Sequence, residues 1–230
     1  MSDFDRKDAN DLQFITTDAW RVFRIISEFV DGFENMTNIG PSVSIFGSAR
    51  LNQESPYYQL GIDVAALIAK KGFAIITGGG PGIMEAANKG AQLAHGSSCG
   101  LVIDLPFESE PNGFIDPKYR LKFRYFFVRK VMFAKYSQGF VMMPGGWGTM
   151  DEFFEVATLI QTQKFTNTPM ICMGSQYWKG LFDWMRETML EKENNISPGD
   201  LEMIKIFDTA DEVVNYLHEF YSHNKLQPNF

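Results

Sequence analysis

Cysteine is nearly missing from this chain of 230 residues, with Cys99 and Cys172 the only two. Both sit in apolar runs, and two thiols at that separation supply neither a disulfide framework nor metal-ligand spacing. Histidine is almost as scarce: His95, His218 and His223 are scattered and read as surface or structural residues rather than ligands. No run of apolar residues approaches the roughly 20 needed to span a bilayer. The first residues, Met1-Ser2-Asp3-Phe4-Asp5, are acidic and polar, unlike a signal peptide, so a cytoplasmic protein without membrane partners is expected. Positive charge is also short. Lys and Arg number 21 against 28 Asp and Glu, net −7, and no basic block of five or more occurs. A polyanion is held by clustered cations that displace its counterions, so long nucleic acid is excluded as a partner. A single mononucleotide is not, because backbone amides and one or two cations suffice for one phosphate.

What is present is ordinary globular material, 45% hydrophobic and 21% charged, enough for one well-buried domain. Residues 1–15 read as a loose polar arm and 16–230 as a single nucleotide-binding domain. From Asp18 a helical stripe runs through Trp20, Phe23, Ile26, Val30 and Phe33, with Arg21, Arg24 and Glu28 off it. That helix is expected to pack on the main domain or on a second subunit, and it carries no evident chemistry. Strand and helix signals then alternate. Strands are expected at 42–47, 73–77, 100–105, 139–143, 169–173 and 204–207, and a polar loop at 106–118 leads to the segment 121–127. Helices are expected at 58–71, 84–94, 129–137, 151–164, 178–191 and 210–221. Short apolar strands alternating with helices specify an α/β fold, an open parallel sheet with helices on both faces. Ligands of such sheets sit beyond the carboxyl ends of the strands, where two glycine-rich turns fall.

The first of these turns is Gly78-Gly79-Gly80-Pro81-Gly82, between a strand and a helix. It matches neither Gly-x-Gly-x-x-Gly nor a P-loop. Consecutive glycines nevertheless let amides converge on an anion at a helix N-terminus; the plain alternative is a tight turn. The second is Pro144-Gly145-Gly146-Trp147-Gly148-Thr149-Met150-Asp151-Glu152. Thr149 followed three residues later by Glu152 fits a capping box, a structural role. The glycines before it again aim amides at the sheet edge, where a carboxylate suits ribose hydroxyls or a water. Arg129-Lys130 is placed by the pattern in the first turn of a helix, where cations oppose the dipole and imply a nearby anion; solvated surface charge is the alternative.

Taken together, Arg129-Lys130 and the PGGWGTMDE segment that follows resemble the cytokinin-activating Lonely-guy phosphoribohydrolases, whose signature is P-G-G-x-G-T-x-x-E after an Arg-Lys pair. IFGSAR, TGGGPGIMEAANKGA, LPFESEPN, FFVRKVMF and LIQTQK extend the resemblance from about Ser42 to Trp184. LPFESEPN and the N-terminal helix resemble bacterial relatives more than plant ones. The resemblance implies a Rossmann-like homodimer or higher even oligomer that cleaves an AMP-like nucleoside 5′-monophosphate into free base and ribose 5-phosphate, with no cofactor. It makes Arg129 and Glu152 catalytic. Gly79, Gly80, Gly82, Gly145, Gly146, Gly148 and Thr149 would surround phosphate and ribose, and Lys130 and Thr158 would line the substrate site. Glu108 and Asn112 would contact the base, with Ser48 and Arg50 beside the nucleotide. Trp20, Phe23 and Val30, with Phe153, Phe154 and Val156, would supply the subunit interface.

Two other functions compete. Relatives carry the label of possible lysine decarboxylases, but pyridoxal chemistry requires a Schiff-base lysine and a carboxylate for the ring nitrogen, and only a phosphate cup is visible. A nucleotide or molybdenum-cofactor carrier on the same fold needs the glycine cradle alone, so the pairing of Arg129 with Glu152 is what separates enzyme from carrier.

Overall fold

The computed structural model describes residues 12–105, 110–165, 168–226 and 229. Seven strands form one parallel sheet: β1 (Ser42–Phe46), β2 (Ala74–Thr77), β3 (Ser98–Ile103), β4 (Arg120–Phe123), β5 (Ser137–Met142), β6 (Met170–Met173) and β7 (Ile204–Phe207). Their spatial order is β4-β3-β2-β1-β5-β6-β7, every neighbouring pair parallel. β1, β2, β3 and β6 are buried at every position, which is why they read as unbroken apolar runs. β4, at the edge, alternates exposed and buried residues instead.

Alternate side chains of the strands feed two cores. Val43, Ile45, Ile75, Val141 and Ile171 meet helices α2 (Pro56–Lys70), α3 (Ile83–Leu93) and, from the end of the chain, the helix Ala210–His223. Phe46, Ile76, Leu101, Phe140 and Cys172 meet the opposite layer of α1 (Leu12–Met36), α4 (Phe126–Tyr136), α5 (Trp147–Gln161) and α6 (Ser175–Trp184). α6 runs on into a π-helical turn, Met185–Lys192, and a short α7 (Pro198–Glu202) precedes β7 and the last helix, α8. The architecture is the expected Rossmann-like open sheet with helices on both faces. No helix among the described residues is long and apolar enough to cross a membrane.

The chain order places a ligand. From β1 the chain steps outward through β2, β3 and β4, then crosses back to β5 on the other side of β1. The direction of winding therefore reverses between β1 and β5, and the crevice beyond their carboxyl ends is the binding position of this sheet type.

At the N-terminus the structure departs from the sequence reading. Helix α1 already begins at Leu12, inside the expected arm, whose residues 1–11 lie outside the described residues. The face of α1 that packs on the body carries Ile25, Phe29, Phe33 and Met36. Of the expected stripe, Phe33 belongs to this inner face, while Trp20, Phe23, Ile26 and Val30 are exposed, so packing on the main domain holds for Phe33 alone.

Candidate active site

Three loops meet at the carboxyl ends of β1, β2 and β5, and Ser48 joins them through its backbone. Its amide donates to Pro144 O at 3.0 Å, and its carbonyl accepts the amide of Ile83 at 2.9 Å. Both glycine-rich turns are thereby tied to the β1 loop. The Ser48 hydroxyl accepts the amide of Arg50 at 3.1 Å, which leaves the exposed Arg50 side chain at the rim. Gly82 has φ +69°, and a Cβ there would lie 2.3 Å from Ser48 O, so only glycine allows this approach. A Cβ on Gly145 would meet Thr149 Oγ1 and the Ser48 amide.

The first turn is held from beneath by a buried polar network. Thr77 Oγ1 accepts the amide of Gly79 at 2.9 Å and donates to Asn88 Oδ1 at 2.7 Å. Asn88 Nδ2 donates to Ser98 Oγ at 2.8 Å. Asn112 completes it, donating from Nδ2 to Gly80 O at 2.9 Å and to Asn88 Oδ1 at 3.0 Å, while its Oδ1 accepts the amide of Phe114. The Asn112 side chain is thus buried and occupied inside the protein. Its observed work is to fix the turn, not to meet a base as expected. Sequence reasoning missed Thr77, Asn88 and Ser98; the available signal was an asparagine on the otherwise apolar inner face of α3. Glu108 lies outside the described residues.

Two helix starts differ from expectation, and both differences bear on chemistry. Helix α5 begins at Trp147 with Gly146 as its N-cap, and the amide of Thr149 bonds to Gly146 O at 3.0 Å. Thr149 is therefore the third helical residue, and Glu152 lies in the second turn. The capping-box interpretation of Thr149 and Glu152 fails: a carboxylate there is too far along the helix to reach the cap amides. Helix α4 begins at Phe126, so Arg129 and Lys130 follow the first turn rather than forming it. The dipole opposition inferred from sequence is correspondingly weaker, because that effect fades beyond the terminal turn.

Glu152 is only 6% exposed. Lys130 Nζ stands 3.4 Å from its Oε1, 2.9 Å from Asp151 Oδ2, and in contact with the Glu155 carboxylate. Burial pushes the Glu152 carboxyl up to about 7, Lys130 pulls it back, Glu155 raises it further, and Arg129 and Asp151 make smaller opposing contributions. For Lys130, burial works to lower the pKa, but Glu155, Glu152 and Asp151 outweigh it and hold the ammonium above its ordinary value. The Arg129 guanidinium packs over the rings of Phe126 and Phe133, 5.1 and 5.9 Å from their centroids. A Cβ added to Gly78 would lie 3.7 Å from its Nη1, which places Arg129 beside the first glycine turn. The site thus brings Arg129, Lys130 and Glu152 together under two amide-rich turns.

Gly146 and Gly148 are unlike the other motif glycines. Neither has a positive φ, and a Cβ on either would meet nothing within 4 Å. From Lys130 an open groove of about 690 Å³ runs along α5, lined by Trp147, Phe154, Glu155 and Thr158. Thr158 is exposed in it, its hydroxyl donating to Phe154 O at 2.7 Å, and Trp147 is 93% exposed at its rim. Phe153 and Val156, expected at a subunit interface, are core residues; only Phe154 of that set is exposed. Among the described residues no group of three or more His, Cys, Asp or Glu is placed to hold a metal.

Comparison with known proteins agrees with these motifs. The sequence profile of a family described as "Possible lysine decarboxylase" matches residues 84–217, more than half of the chain. A cytokinin riboside 5′-monophosphate phosphoribohydrolase of Arabidopsis thaliana is 24% identical over 179 residues, 77% of this chain and 82% of that protein. The chain belongs to the Lonely-guy family. A second Lonely-guy relative, the cytokinin riboside 5′-monophosphate phosphoribohydrolase of Rhodococcoides fascians, is 24% identical over 65% of this chain and 76% of its own length. An uncharacterized protein of Archaeoglobus fulgidus is 28% identical over 76% of this chain and 92% of its own. Among solved structures, the molybdenum cofactor carrier protein of Chlamydomonas reinhardtii superposes with a TM-score of 0.55 at 17% identity, covering 79% of this chain and 98% of that one. At that identity the likeness concerns the fold.

Proposed function

We propose that this Lonely-guy family member hydrolyses the N-glycosidic bond of a nucleoside 5′-monophosphate of the AMP type, releasing the free base and ribose 5-phosphate. The observation that carries the proposal is Glu152: a buried carboxylate in the second turn of α5, not needed as a cap, and poised to ionise near neutral pH. A carrier of the same fold has no use for such a group.

The phosphate belongs at the N-terminus of α5. No acidic residue lies in the first turn of α5, whereas Glu85 occupies the first turn of α3. Gly146 and Gly148 leave space that nothing in the described residues fills, so an anion can approach the amides there directly. With the phosphate so placed, the ribose faces Thr149 and Glu152. C1′–N cleavage passes through an oxocarbenium-like state that a carboxylate stabilises. As the C1′–N bond breaks, the water oxygen bonds to C1′ and its proton passes to ionised Glu152, which returns it to the departing base nitrogen and is restored. Arg129, whose guanidinium lies beside the first glycine turn, is the cation that meets the phosphate or the departing base. Thr158 and the groove beyond it accommodate the base and its substituents. Two or another even number of subunits, associated through exposed apolar residues of α1, complete the assembly.

The decarboxylase label does not fit these residues. A Schiff-base lysine acts as the free amine, and Lys130 is the lysine of this site, held protonated by its carboxylates.

Incubation of the purified protein with AMP and related nucleotides, followed by chromatography for the free base, tests the proposal. Base release that requires Glu152 and Arg129 is expected. Stabilisation of the protein by AMP without any base release from a nucleotide panel would instead identify a carrier.

A further inference from the structure

Helix α4 lacks the local features that start a helix. Tyr125 stands at its N-cap without a side-chain capping bond, and no acidic residue lies in its first turn. Two cations, Arg129 and Lys130, follow directly. Such a start leaves the positive end of the helix without a carboxylate of its own. The missing carboxylate comes from α1. Both oxygens of Glu28 accept the amide of Arg124 at 3.1 Å, and Oε2 also accepts the amide of Tyr125 at 3.3 Å. The carbonyl of Tyr125 in turn accepts the amide of Arg129 at 3.2 Å. One residue, Tyr125, is therefore gripped by Glu28 at its N–H while its carbonyl holds the amide of Arg129.

The rest of the α1–α4 contact supports this grip. A Cβ on Gly32 would lie 2.8 Å from Met132 Sδ, so the helices touch closely at mid-length. Near the end of α4, Tyr136 donates to Phe33 O at 3.2 Å. α1 thus runs as a splint beside the helix that bears Arg129 and Lys130, with Glu28 at the active end.

We infer that Glu28 is a positioning residue for Arg129 and Lys130, capping α4 from a helix 96 residues away in sequence. This rests on the site proposed above, where both cations act on the substrate. Small displacements of reacting groups are costly to rate, and one cap is worth a factor of roughly ten.

The test compares Glu28→Ala, Glu28→Gln and Phe29→Ala. Phe29 packs on the core and stacks on Phe33 at 5.9 Å, so its loss loosens α1 without touching the cap. Glu28→Ala is expected to speed amide exchange in residues 124–128 and to lower kcat for AMP about tenfold with KM nearly unchanged. Glu28→Gln, which keeps an accepting oxygen, should recover kcat to within about threefold of wild type. Phe29→Ala should lose at least as much thermal stability yet keep its kcat. A Glu28→Ala protein with wild-type kcat and exchange overturns the inference, and so does a loss of activity that tracks melting temperature across all three variants. If wild type releases no base, the hydrolase proposal fails separately. Stabilisation by AMP then reads the positioning: a smaller AMP shift in Glu28→Ala than in Phe29→Ala supports it, and equal shifts overturn it.

Discussion

Glu152 Oε1 lies 3.4 Å from Lys130 Nζ, deep in α5 and a full turn past the cap that Gly146 provides. That separation makes the catalytic and structural roles of Glu152 distinguishable. Glutamine keeps the size and the hydrogen-bonding oxygen but cannot ionise. Glu152→Gln should lower base release from AMP by at least about a hundredfold. Stability at pH 5, where folded Glu152 still carries its proton, should change by less than about 1 kcal/mol, because no cap is lost. Turnover close to wild type in the purified variant would remove Glu152 from the chemistry.

The same burial gives the fold a pH dependence of known sign. The Glu152 carboxyl is raised from 4.5 to about 7 in the folded protein. Between those values the folded chain keeps a proton that the unfolded chain has lost, so this group's contribution to stability is intact below the lower value and declines as pH rises to the upper one. The gap of about 2.5 units sets its size at roughly 3 kcal/mol. Glu152→Gln has no such proton. Denaturant unfolding of both proteins at pH 5 and pH 8 should show the variant gaining on wild type by that order at the higher pH. Parallel stabilities at both pH values would contradict the buried, raised carboxyl.

The sheet was legible because its central strands are buried on both faces, which forces short apolar runs between helices. The glycine turns were legible because the carboxyl ends of parallel strands converge on one edge. The starts of α4 and α5 were not. α5 starts on Gly146 and α4 on Tyr125, neither with a side-chain cap, so the capping signals at Thr149 and the absent signals near Tyr125 both misplaced the boundary. The amides of Arg124 and Tyr125 before α4 are met by Glu28, and Asn112 is held by Asn88 and Gly80; contacts over such separations leave no local trace. Ser48 was expected at the glycine turns, but its backbone bonds to Pro144 and Ile83 could be seen only in three dimensions.

Helix α1 turns one apolar face inward and leaves Trp20, Phe23, Ile26 and Val30 at least half exposed on the other. Scattered apolar residues need no partner, but a helical stripe of four with two aromatics is the composition of an interface. Light scattering should find a dimer or larger even oligomer at micromolar concentration. Trp20→Ser with Phe23→Ser should shift the population toward smaller species with little loss of melting temperature per subunit. A monomeric wild type at that concentration would rule this assembly out.

Gly82 and Gly148 each close a Gly-Gly-x-Gly run, yet Gly82 caps α3 while Gly148 lies inside α5, and the two answer to different demands. Gly82 has φ +69°, and a Cβ would come within 2.3 Å of Ser48 O, a backbone atom that cannot move aside without disturbing the β1 loop. Gly82→Ala should therefore cost more than about 2 kcal/mol of stability, from left-handed strain and a forced backbone shift together. Gly148 lies in the first turn of α5 without a positive φ, and a Cβ would meet nothing within 4 Å. Alanine is the better helix former, so Gly148→Ala should raise stability by up to about 1 kcal/mol. What it should lose is ligand, because the added methyl group stands where a phosphate would approach the α5 amides. Thermal melts with and without AMP separate the two effects: Gly148→Ala should melt at or above wild type without AMP, yet gain little from it. Full stabilisation of Gly148→Ala by AMP would move the phosphate away from the N-terminus of α5.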